Sequence, residues 1–344
     1  MKQLWSKLYI ILCLLLLLTP FLGMWVLGPA QAAANQVLAP APALRDGDGS
    51  WSLQVLNDSA DYLADHFALR QQLVSLWARL NAGLLASSTA DQVILGRSGW
   101  LYYTPTLPDY TGQSLGDAEL ESIARCLSQI QAEAESRGAV FLFTVVPNKN
   151  SLYPENMPAL YPSVHEESSI VRLQPYLERY GVHYADLFSL PMPYYRTDTH
   201  WTAEGAALAA DRLLSALGRE SGYAAGPFAP AAEQSPGDLY EMLYPGSPAG
   251  EERTAYAGEL GFRHENEPRG GNAIRIRTTG AGEGSLFCWR DSFGIALYPY
   301  LADAFREAEF SRSTDYALPD GAYDVVILEL VERNLPQLIP EPNA

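Results

Sequence analysis

The chain has 344 residues, 48% of them hydrophobic, which supplies enough apolar material for a sizeable core and excludes a largely disordered protein. With 23 Lys and Arg against 40 Asp and Glu, the formal net charge is -17, so nucleic acid is not expected as a partner. The 3 cysteines include no CxxC pair, which excludes a disulfide scaffold and a zinc ribbon and leaves open whether Cys126 and Cys288 pair.

The first segment, residues 1–34, has the pattern of a membrane anchor or a signal sequence. Two lysines precede an uncharged run at 8–27, which as a helix would cover the thickness of a bilayer core. The positive-inside rule then places the rest of the chain outside the cytoplasm. Small residues at Ala30 and Ala32 fit a cleaved signal peptide, but the apolar run is longer than such signals use. We therefore favour an uncleaved anchor with an exported domain, and secretion after cleavage is the alternative.

A linker and a helical region follow the first segment. Residues 35–50 are rich in Ala, Pro, Gly and Asp without an apolar period, which is typical of a linker. Over residues 51–90 the apolar positions recur at spacings near three and four, which predicts a lead-in of two helices. Strand-like runs at 93–95 and 100–103 flank a glycine-containing spacer and predict a hairpin.

The main domain, residues 91–340, alternates helix and strand. Its strands are predicted at 139–146, 182–187, 286–289 and 325–330, and its helices at 118–137, 167–180, 203–218 and 294–306. This order predicts a three-layer α/β/α domain of the flavodoxin-like kind with a parallel sheet. Between 222 and 284 the alternation lapses, with one strand-like piece at 273–278, and we interpret this stretch as an insertion.

Two loops carry a possible catalytic triad, because open α/β sheets bind ligands beyond the carboxyl ends of their strands. One loop holds Asp198 and His200 just before a helix, whose N-terminus favours the neutral imidazole that a general base requires. Asp198 can reach Nδ1 of His200 if the loop is extended, and would then fix its tautomer. The other loop holds Ser292 at a strand-to-helix turn, where backbone N–H groups can stabilise an oxyanion. A metal is not expected at Asp198 and His200, since standard spacing supplies no third ligand.

Five further residues are candidates for binding substrate or an oxyanion. They are Asn148, Lys149, Tyr195, Arg290 and Arg333. Asn148 and Lys149 follow a predicted strand and could offer a donor or a positive charge, although Lys149 could equally be a solvated loop charge. Arg333 could instead form a structural ion pair with Glu332. Ser292 itself could merely cap its helix.

Five motifs in a fixed order carry a resemblance to a known family. They are VILGRSGWLY at 93–102, VVPNK at 145–149, DTHW at 198–201, RDSFG at 290–294 and LVERNL at 330–335. Over about residues 51–335 the chain resembles the SGNH-hydrolase-like proteins of the alginate O-acetyltransferase type, the AlgJ and AlgX type, together with the DHHW-motif proteins. It departs from the DHHW pattern at Thr199, which stands at the position of a histidine.

The resemblance implies an extracytoplasmic domain that transfers acetyl groups to polysaccharide hydroxyls, with Ser292 as nucleophile, His200 as base and Asp198 as orienting acid. Because the serine comes last along the chain, it implies a circularly permuted SGNH-like fold. It also implies a membrane-bound O-acyltransferase as the partner that supplies acetyl groups across the membrane. No bound cofactor is expected. The alternatives are an esterase that removes acetyl groups and a non-catalytic polysaccharide-binding or assembly subunit.

Overall fold

The structure is a computed structural model that describes residues 2–30, 38–47, 49–113, 115–164, 168–248, 250–265 and 273–340. The chain forms two compact units, one of residues 1–93 with 238–249 and the other of 94–237 with 250–344. The cleavage site predicted near Ala30, the linker at 35–50 and the insertion at 222–284 each lie partly outside the described residues.

The α-helices have the following bounds: α1 (Lys2–Leu27), α2 (Val55–His66), α3 (Arg70–Leu85), α4 (Leu107–Tyr110), α5 (Asp117–Ser136), α6 (Lys149–Leu152), α7 (Ser169–Arg179), α8 (Ala203–Ala216), α9 (Asp238–Leu243) and α10 (Gly294–Ala304). The strands are β1 (Val93–Leu95), β2 (Leu101–Tyr103), β3 (Val140–Val146), β4 (Tyr184–Ala185), β5 (Phe228–Pro230), β6 (Thr254–Tyr256), β7 (Arg263–His264), β8 (Arg275–Thr279), β9 (Ser285–Trp289), β10 (Glu307–Ser311) and β11 (Val325–Val331).

The first unit contains α1, α2, α3 and α9, and the two helices predicted over residues 51–90 are α2 and α3. Helix α3 turns a small and polar face inward: Ser75 and Ala78 are buried, and Ser75 Oγ donates a hydrogen bond to the carbonyl of Pro245 at 2.7 Å. Its leucines, Leu76 and Leu80 among them, are exposed. Among the described residues, no helix combines the length and the apolar character that crossing a membrane requires, so the predicted anchor is not confirmed.

The second unit is built on a seven-stranded sheet in the order β4-β3-β11-β9-β10-β8-β7. Neighbours from β4 to β10 are parallel, whereas β8 runs antiparallel to β10 and β7 antiparallel to β8. The sheet is therefore mixed, and the expectation of a purely parallel sheet was wrong. The physical reason is the short connection of residues 280–284 between β8 and β9, which is too short for the crossover that parallel strands require. Ion pairs of Arg275 and Arg277 in β8 with Glu309 of β10 stabilise this antiparallel edge.

Helices cover both faces of the sheet, as the three-layer prediction requires. Side chains alternate along β3: Leu142 and Val146 join a core with α8 and α10, while Phe141, Phe143 and Val145 join a core with α5 and α7. This alternation follows from the period of two along a strand. Both faces are buried, which explains why β3 is apolar except at Thr144, whose hydroxyl donates a hydrogen bond to the carbonyl of Ala185.

The register of the sheet brings three loops to one edge. Val331 pairs with Val146, so β11 and β3 end at the same level, and the segments after them, which begin at Pro147 and Glu332, lie side by side. Strand β9 ends next to them, with Trp289 paired to Leu328. The carboxyl ends of parallel strands thus place the loop of Ser292 beside the segments of Asn148 and Arg333.

Candidate active site

The structure brings Ser292, His200 and Asp198 into one hydrogen-bonded chain. Nε2 of His200 lies 2.9 Å from Oγ of Ser292, and Nδ1 of His200 lies 2.7 Å from Oδ1 of Asp198. The backbone N–H of His200 also donates to Oδ1 of Asp198 at 2.9 Å. This is the arrangement in which an imidazole can take a proton from a hydroxyl while a carboxylate orients the ring. The catalytic roles of these residues stay predictions that this geometry permits.

Residues 289–294, here called the nucleophile loop, are held by the loop's own carboxylate. Oδ1 of Asp291 accepts a hydrogen bond from the N–H of Phe293 at 2.8 Å. Oδ2 accepts from the N–H of Val331 at 2.8 Å and from Nδ2 of Asn334 at 3.0 Å. Because these partners lie at and beyond the end of β11, Asp291 fixes the loop to the neighbouring strand and so fixes Ser292.

The turn into α10 requires glycine at position 294. A Cβ at Gly294 would lie 2.5 Å from Cβ of Arg290, a separation that two carbon atoms do not tolerate. The glycine in the RDSFG motif is therefore explained by a close approach within the nucleophile loop.

Residues 196–202, here called the acid–base loop, are joined to the nucleophile loop through Trp201. Nε1 of this buried tryptophan donates a hydrogen bond to the carbonyl of Phe293 at 3.2 Å, and the two rings meet edge to face at 5.3 Å. The ring of His200 lies 4.7 Å from that of Phe293. Sequence reasoning quoted Trp201 within its motif but gave it no role, and its place at the end of DTHW was the available signal.

Asp198 is buried and ionised. Its side chain pairs with His200 on one oxygen and with the guanidinium of Arg253 on the other. Burial raises the pKa of this carboxyl, but the hydrogen bond from His200 and the charges of His200 and Arg253 outweigh it, so the pKa lies below its ordinary range. Sequence reasoning missed Arg253, which lies in the irregular stretch interpreted as an insertion and follows no recognisable spacing.

Lys149 supports the acid–base loop and does not face a substrate. It is only 5% exposed, and Nζ donates hydrogen bonds to the carbonyls of Tyr195, Arg196 and Asp198 at 3.2, 3.1 and 2.6 Å. The ammonium also lies 5.3 Å from the ring centre of Tyr102. Both expectations for Lys149, substrate contact and a solvated charge, are corrected by this burial, because the charge is satisfied by backbone carbonyls.

Asn148 and Glu332 join the ends of β3 and β11. The N–H of Asn148 donates to Oε2 of Glu332 at 2.9 Å, and Oγ of Ser151 donates to the same oxygen at 2.6 Å. Burial raises the pKa of Glu332 to about 7. The suggested ion pair with Arg333 is wrong, since Glu332 takes these neutral donors. The guanidinium of Arg333 instead lies over the rings of Tyr103 and Phe293, 5.5 Å from each centre.

Arg290 is buried beside the nucleophile loop and contacts backbone. Nη1 donates to the carbonyl of Asp291 at 3.1 Å and Nη2 to that of Ala273 at 3.0 Å. Burial lowers the pKa of its guanidinium. The contacts of Arg290 are to backbone carbonyls and brace the loop, and its predicted binding of substrate or an oxyanion stays a prediction.

Ser292 and His200 open into a cavity of about 340 Å³. Tyr195 lines it, as do Arg253 and Thr254 from the second half of the chain. The remaining lining is mostly apolar and comes from Trp201, Ala203, Ala231, Phe293, Ile295 and Ala296. Of the five additional candidates, Tyr195 alone is among the residues that line this cavity, while Asn148 and Lys149 lie behind the acid–base loop.

A comparison with protein families matches residues 93–266, just over half of the chain, to the family described as SGNH hydrolase-like domain, acetyltransferase AlgX. Among curated relatives, a probable alginate O-acetylase AlgJ of Pseudomonas fluorescens is 27% identical over 225 residues, covering 61% of this chain and 52% of that protein. A probable alginate O-acetylase AlgJ of Pseudomonas syringae is 26% identical over 165 residues, covering 46% and 41%. The chain thus spans about half the length of these relatives, or less.

Solved structures show the same fold. PatB1 of Bacillus cereus superposes with a TM-score of 0.55 at 15% identity, covering 71% of this chain and 97% of PatB1. A DHHW family protein of Eubacterium siraeum gives a TM-score of 0.52 at 16% identity, covering 72% and 97%. The α/β fold with its mixed sheet is therefore SGNH-like, and the resemblance drawn from the five motifs is confirmed.

Proposed function

Because the chain belongs to the family of SGNH hydrolase-like domains of the AlgX acetyltransferase type, we propose that it is an O-acetyltransferase that uses Ser292, His200 and Asp198 as a catalytic triad. The observation that carries the proposal is the continuous hydrogen-bonded chain from Ser292 through His200 to Asp198, which opens into a cavity. A serine that merely capped α10 would not need an imidazole 2.9 Å from its hydroxyl.

The proposed reaction has two steps. In the first, Nε2 of His200 accepts the proton of Ser292 as Oγ attacks the carbonyl carbon of an acetyl donor. The imidazolium then gives that proton to the departing donor group, which leaves an acetyl ester on Ser292. In the second, His200 accepts a proton from a sugar hydroxyl, whose oxygen attacks the ester, and returns the proton to Oγ of Ser292. Asp198 keeps its charge throughout and stabilises the imidazolium.

The oxyanion of each tetrahedral intermediate needs hydrogen-bond donors beside Oγ. The backbone N–H of Ser292 is the candidate, since it lies two residues before the first residue of α10, where the positive end of the helix dipole adds to the donor. Asp291 orients this part of the backbone through the N–H of Phe293.

The acceptor proposed for the second step is a hydroxyl group of a cell-surface or secreted polysaccharide. The proposal is supported by the curated relatives, which are named as probable alginate O-acetylases. Water could take the place of the sugar as acceptor, which would make the protein an esterase, and the two reactions share every residue of the triad.

Membrane anchoring through residues 8–27, export of the second unit and delivery of acetyl groups by a membrane-bound O-acyltransferase are further parts of the proposal. Support comes from apolar side chains that are exposed in the first unit, such as Ile10 and Trp25 of α1 and Trp77 of α3. Anchoring would raise the effective concentration of the domain near its acetyl supplier. Resistance of the full chain to alkaline extraction of membranes, lost when residues 2–27 are removed, would support it, and extraction of the intact chain would contradict it.

The proposed activity is tested by incubating the protein with 4-nitrophenyl acetate and with deacetylated alginate oligosaccharides. We expect an acetyl group on Ser292 by peptide mass spectrometry and acetylated oligosaccharide among the products. Acetate release unaffected by the oligosaccharide would favour the esterase. No acetyl-enzyme, together with unchanged polymer acetylation in cells that carry Ser292→Ala, would favour the non-catalytic subunit.

A further inference from the structure

The irregular stretch that precedes β6 lies against the acid–base loop and holds it through Glu251 and Arg253. Glu251 accepts hydrogen bonds from the backbone N–H groups of Arg196 and Thr197 at 2.8 and 2.7 Å. Arg253, two residues later, pairs with Asp198. A segment that the sequence presents as an insertion therefore contacts the backbone and the carboxylate on which the triad depends.

Arg253 is fixed by partners other than Asp198. Its Nε donates a hydrogen bond to the carbonyl of Ser235 at 3.1 Å, and its backbone N–H donates to Oε1 of Gln234 at 2.7 Å. Its guanidinium also lies over the ring of Tyr195, 4.6 Å from the centre. The arginine thus presents Nη2 to Asp198 from a position that does not depend on the carboxylate.

The strand that follows is itself attached to the helix behind the acid–base loop. Oγ1 of Thr254 donates to Oε2 of Glu204 in α8 at 2.8 Å, and its N–H donates to the hydroxyl of Tyr195 at 3.2 Å. These contacts give the arginine a rigid base, so its position relative to Asp198 is set by the fold of the second unit.

The two oxygens of Asp198 consequently have different partners. Oδ1 serves His200 through the ring and the backbone N–H, and Oδ2 serves Arg253. Asp198 is 4% exposed, so water has little access to Oδ2, and rotation of the carboxylate is opposed by the contact from Nη2 of Arg253.

We propose that Arg253 is a positioning residue of the triad: it holds the carboxylate of Asp198 in the one orientation that lets Oδ1 fix the imidazole of His200 against Ser292. The inference rests on the proposed function, since it concerns the same site. It predicts that Arg253 is needed for the chemical step and that substrate affinity depends little on Arg253.

The experiment compares Arg253→Met and Arg253→Lys with the control Glu251→Gln, which alters a contact to the loop backbone and leaves the carboxylate of Asp198 untouched. Steady-state kinetics with 4-nitrophenyl acetate should show kcat lower by about 10- to 100-fold in Arg253→Met, the loss expected for one charged hydrogen bond, with KM within about twofold. Arg253→Lys should recover part of kcat, because it restores the charge but not the second donor, which binds the carbonyl of Ser235. A third variant, Arg253→Ala, leaves room for guanidinium, and guanidinium chloride at low concentration should raise its activity and leave the wild type unchanged.

A second readout is independent of turnover. The proton on Nδ1 of His200, shared with Asp198, should give a far-downfield proton resonance in the wild type and in Glu251→Gln, and this resonance should shift or broaden in Arg253→Met.

If both the resonance and kcat of Arg253→Met equal those of the wild type, the inference is overturned while the triad stays intact. Equal loss of kcat in Arg253→Met and Glu251→Gln, with no rescue by lysine or guanidinium, would reduce Arg253 to a structural contact. Absence of activity in the wild type would count against the proposed function, and the resonance would still test the inference.

Discussion

The two loops that form the site are stabilised in different ways. The nucleophile loop carries its own support in the carboxylate of Asp291. This carboxylate accepts hydrogen bonds from the N–H of Phe293 and from two groups at the end of β11, the N–H of Val331 and the side chain of Asn334. The acid–base loop has one internal bond, from the N–H of His200 to Asp198, and depends further on side chains from elsewhere, namely Lys149, Glu251 and Arg253. Residues that hold a loop from within lie in one short motif, so the sequence can reveal them. Residues that hold a loop from outside lie elsewhere in the chain, and the sequence of the loop does not reveal them.

The difference also has an energetic side. The supports of the acid–base loop include two buried or half-buried cations, Lys149 and Arg253, whose loss leaves buried acceptors without partners. In the nucleophile loop, three donors hydrogen-bond to a single acceptor group, the carboxylate of Asp291, which is only partly buried. We therefore expect substitutions around the acid–base loop to cost more than comparable ones around the nucleophile loop, apart from the triad itself.

The largest effects are expected where the two loops meet. Ser292→Ala and His200→Ala should each lower the rate of acetyl transfer by at least about a thousandfold, because each removes a member of a unit that acts together. Initial rates with 4-nitrophenyl acetate measure this loss. The exposed residues Ser136 and His183 supply matched controls as alanine variants, which should keep the wild-type rate. A rate near wild type in either triad variant would contradict the triad.

The next effect concerns the external support of the acid–base loop. Lys149→Met should lower kcat by about 10- to 100-fold and the free energy of unfolding by roughly 2–4 kcal/mol, since three backbone carbonyls lose a charged donor. Urea unfolding and steady-state kinetics measure the two quantities. Arg125→Met, which removes an exposed cation from α5, should change neither. An unaltered kcat in Lys149→Met would show that the loop keeps its shape without this lysine.

A smaller effect is expected at the internal support of the nucleophile loop. Asp291→Asn keeps the shape of the side chain but replaces one accepting oxygen by a donor, so one of the three groups that it binds loses its acceptor. We expect kcat to fall by about tenfold and KM to change little. Asn334→Ala, which removes just one of the three donors, should stay within about threefold of the wild type. A larger loss in Asp291→Asn than in Lys149→Met would reverse the comparison between the loops.

The connection between the loops should be weaker than either support. Trp201→Phe preserves most of the ring packing on Phe293 and removes the hydrogen bond from Nε1 to the Phe293 carbonyl. A fall in kcat of about three- to tenfold is expected, since one neutral hydrogen bond is lost. The exposed Trp77 provides the control, because Trp77→Phe should have no kinetic effect. Loss comparable to that of His200→Ala would mean that the indole does more than join the loops.

The smallest kinetic effect, combined with a distinct pH dependence of stability, is expected at Glu332. Burial raises its pKa to about 7, so between about pH 4.5 and 7 the unfolded chain loses this proton while the folded chain keeps it. Stability should therefore fall by roughly 3 kcal/mol across that interval from this group alone, and Glu332→Gln should abolish that part of the fall. Denaturant unfolding at pH 5 and pH 8 gives the comparison. Parallel stability curves for both proteins would contradict a raised pKa.

The parts of the fold and of the site that could be predicted from the sequence are those marked by short motifs and apolar runs. Asp198, His200 and Ser292 were found because two ordered motifs contain them, and β3 was found because a strand buried on both faces is almost entirely apolar. Strand β10 was missed, since Glu307 and Glu309 interrupt any apolar run and Glu309 is explained only by its ion pairs with β8. Lys149 was misassigned because its burial depends on hydrogen bonds to three backbone carbonyls, and the sequence does not show that these carbonyls surround the ammonium. Arg253 was missed because it lies 55 residues from Asp198 in the chain, in a stretch without a recognisable motif.

The glycine at position 294 has a consequence for engineering of this site. Since no side chain fits there, the turn that presents Ser292 has to be kept as it is in any library that seeks a new acyl specificity. Diversity can instead be introduced at the next two positions, Ile295 and Ala296, whose side chains line the cavity.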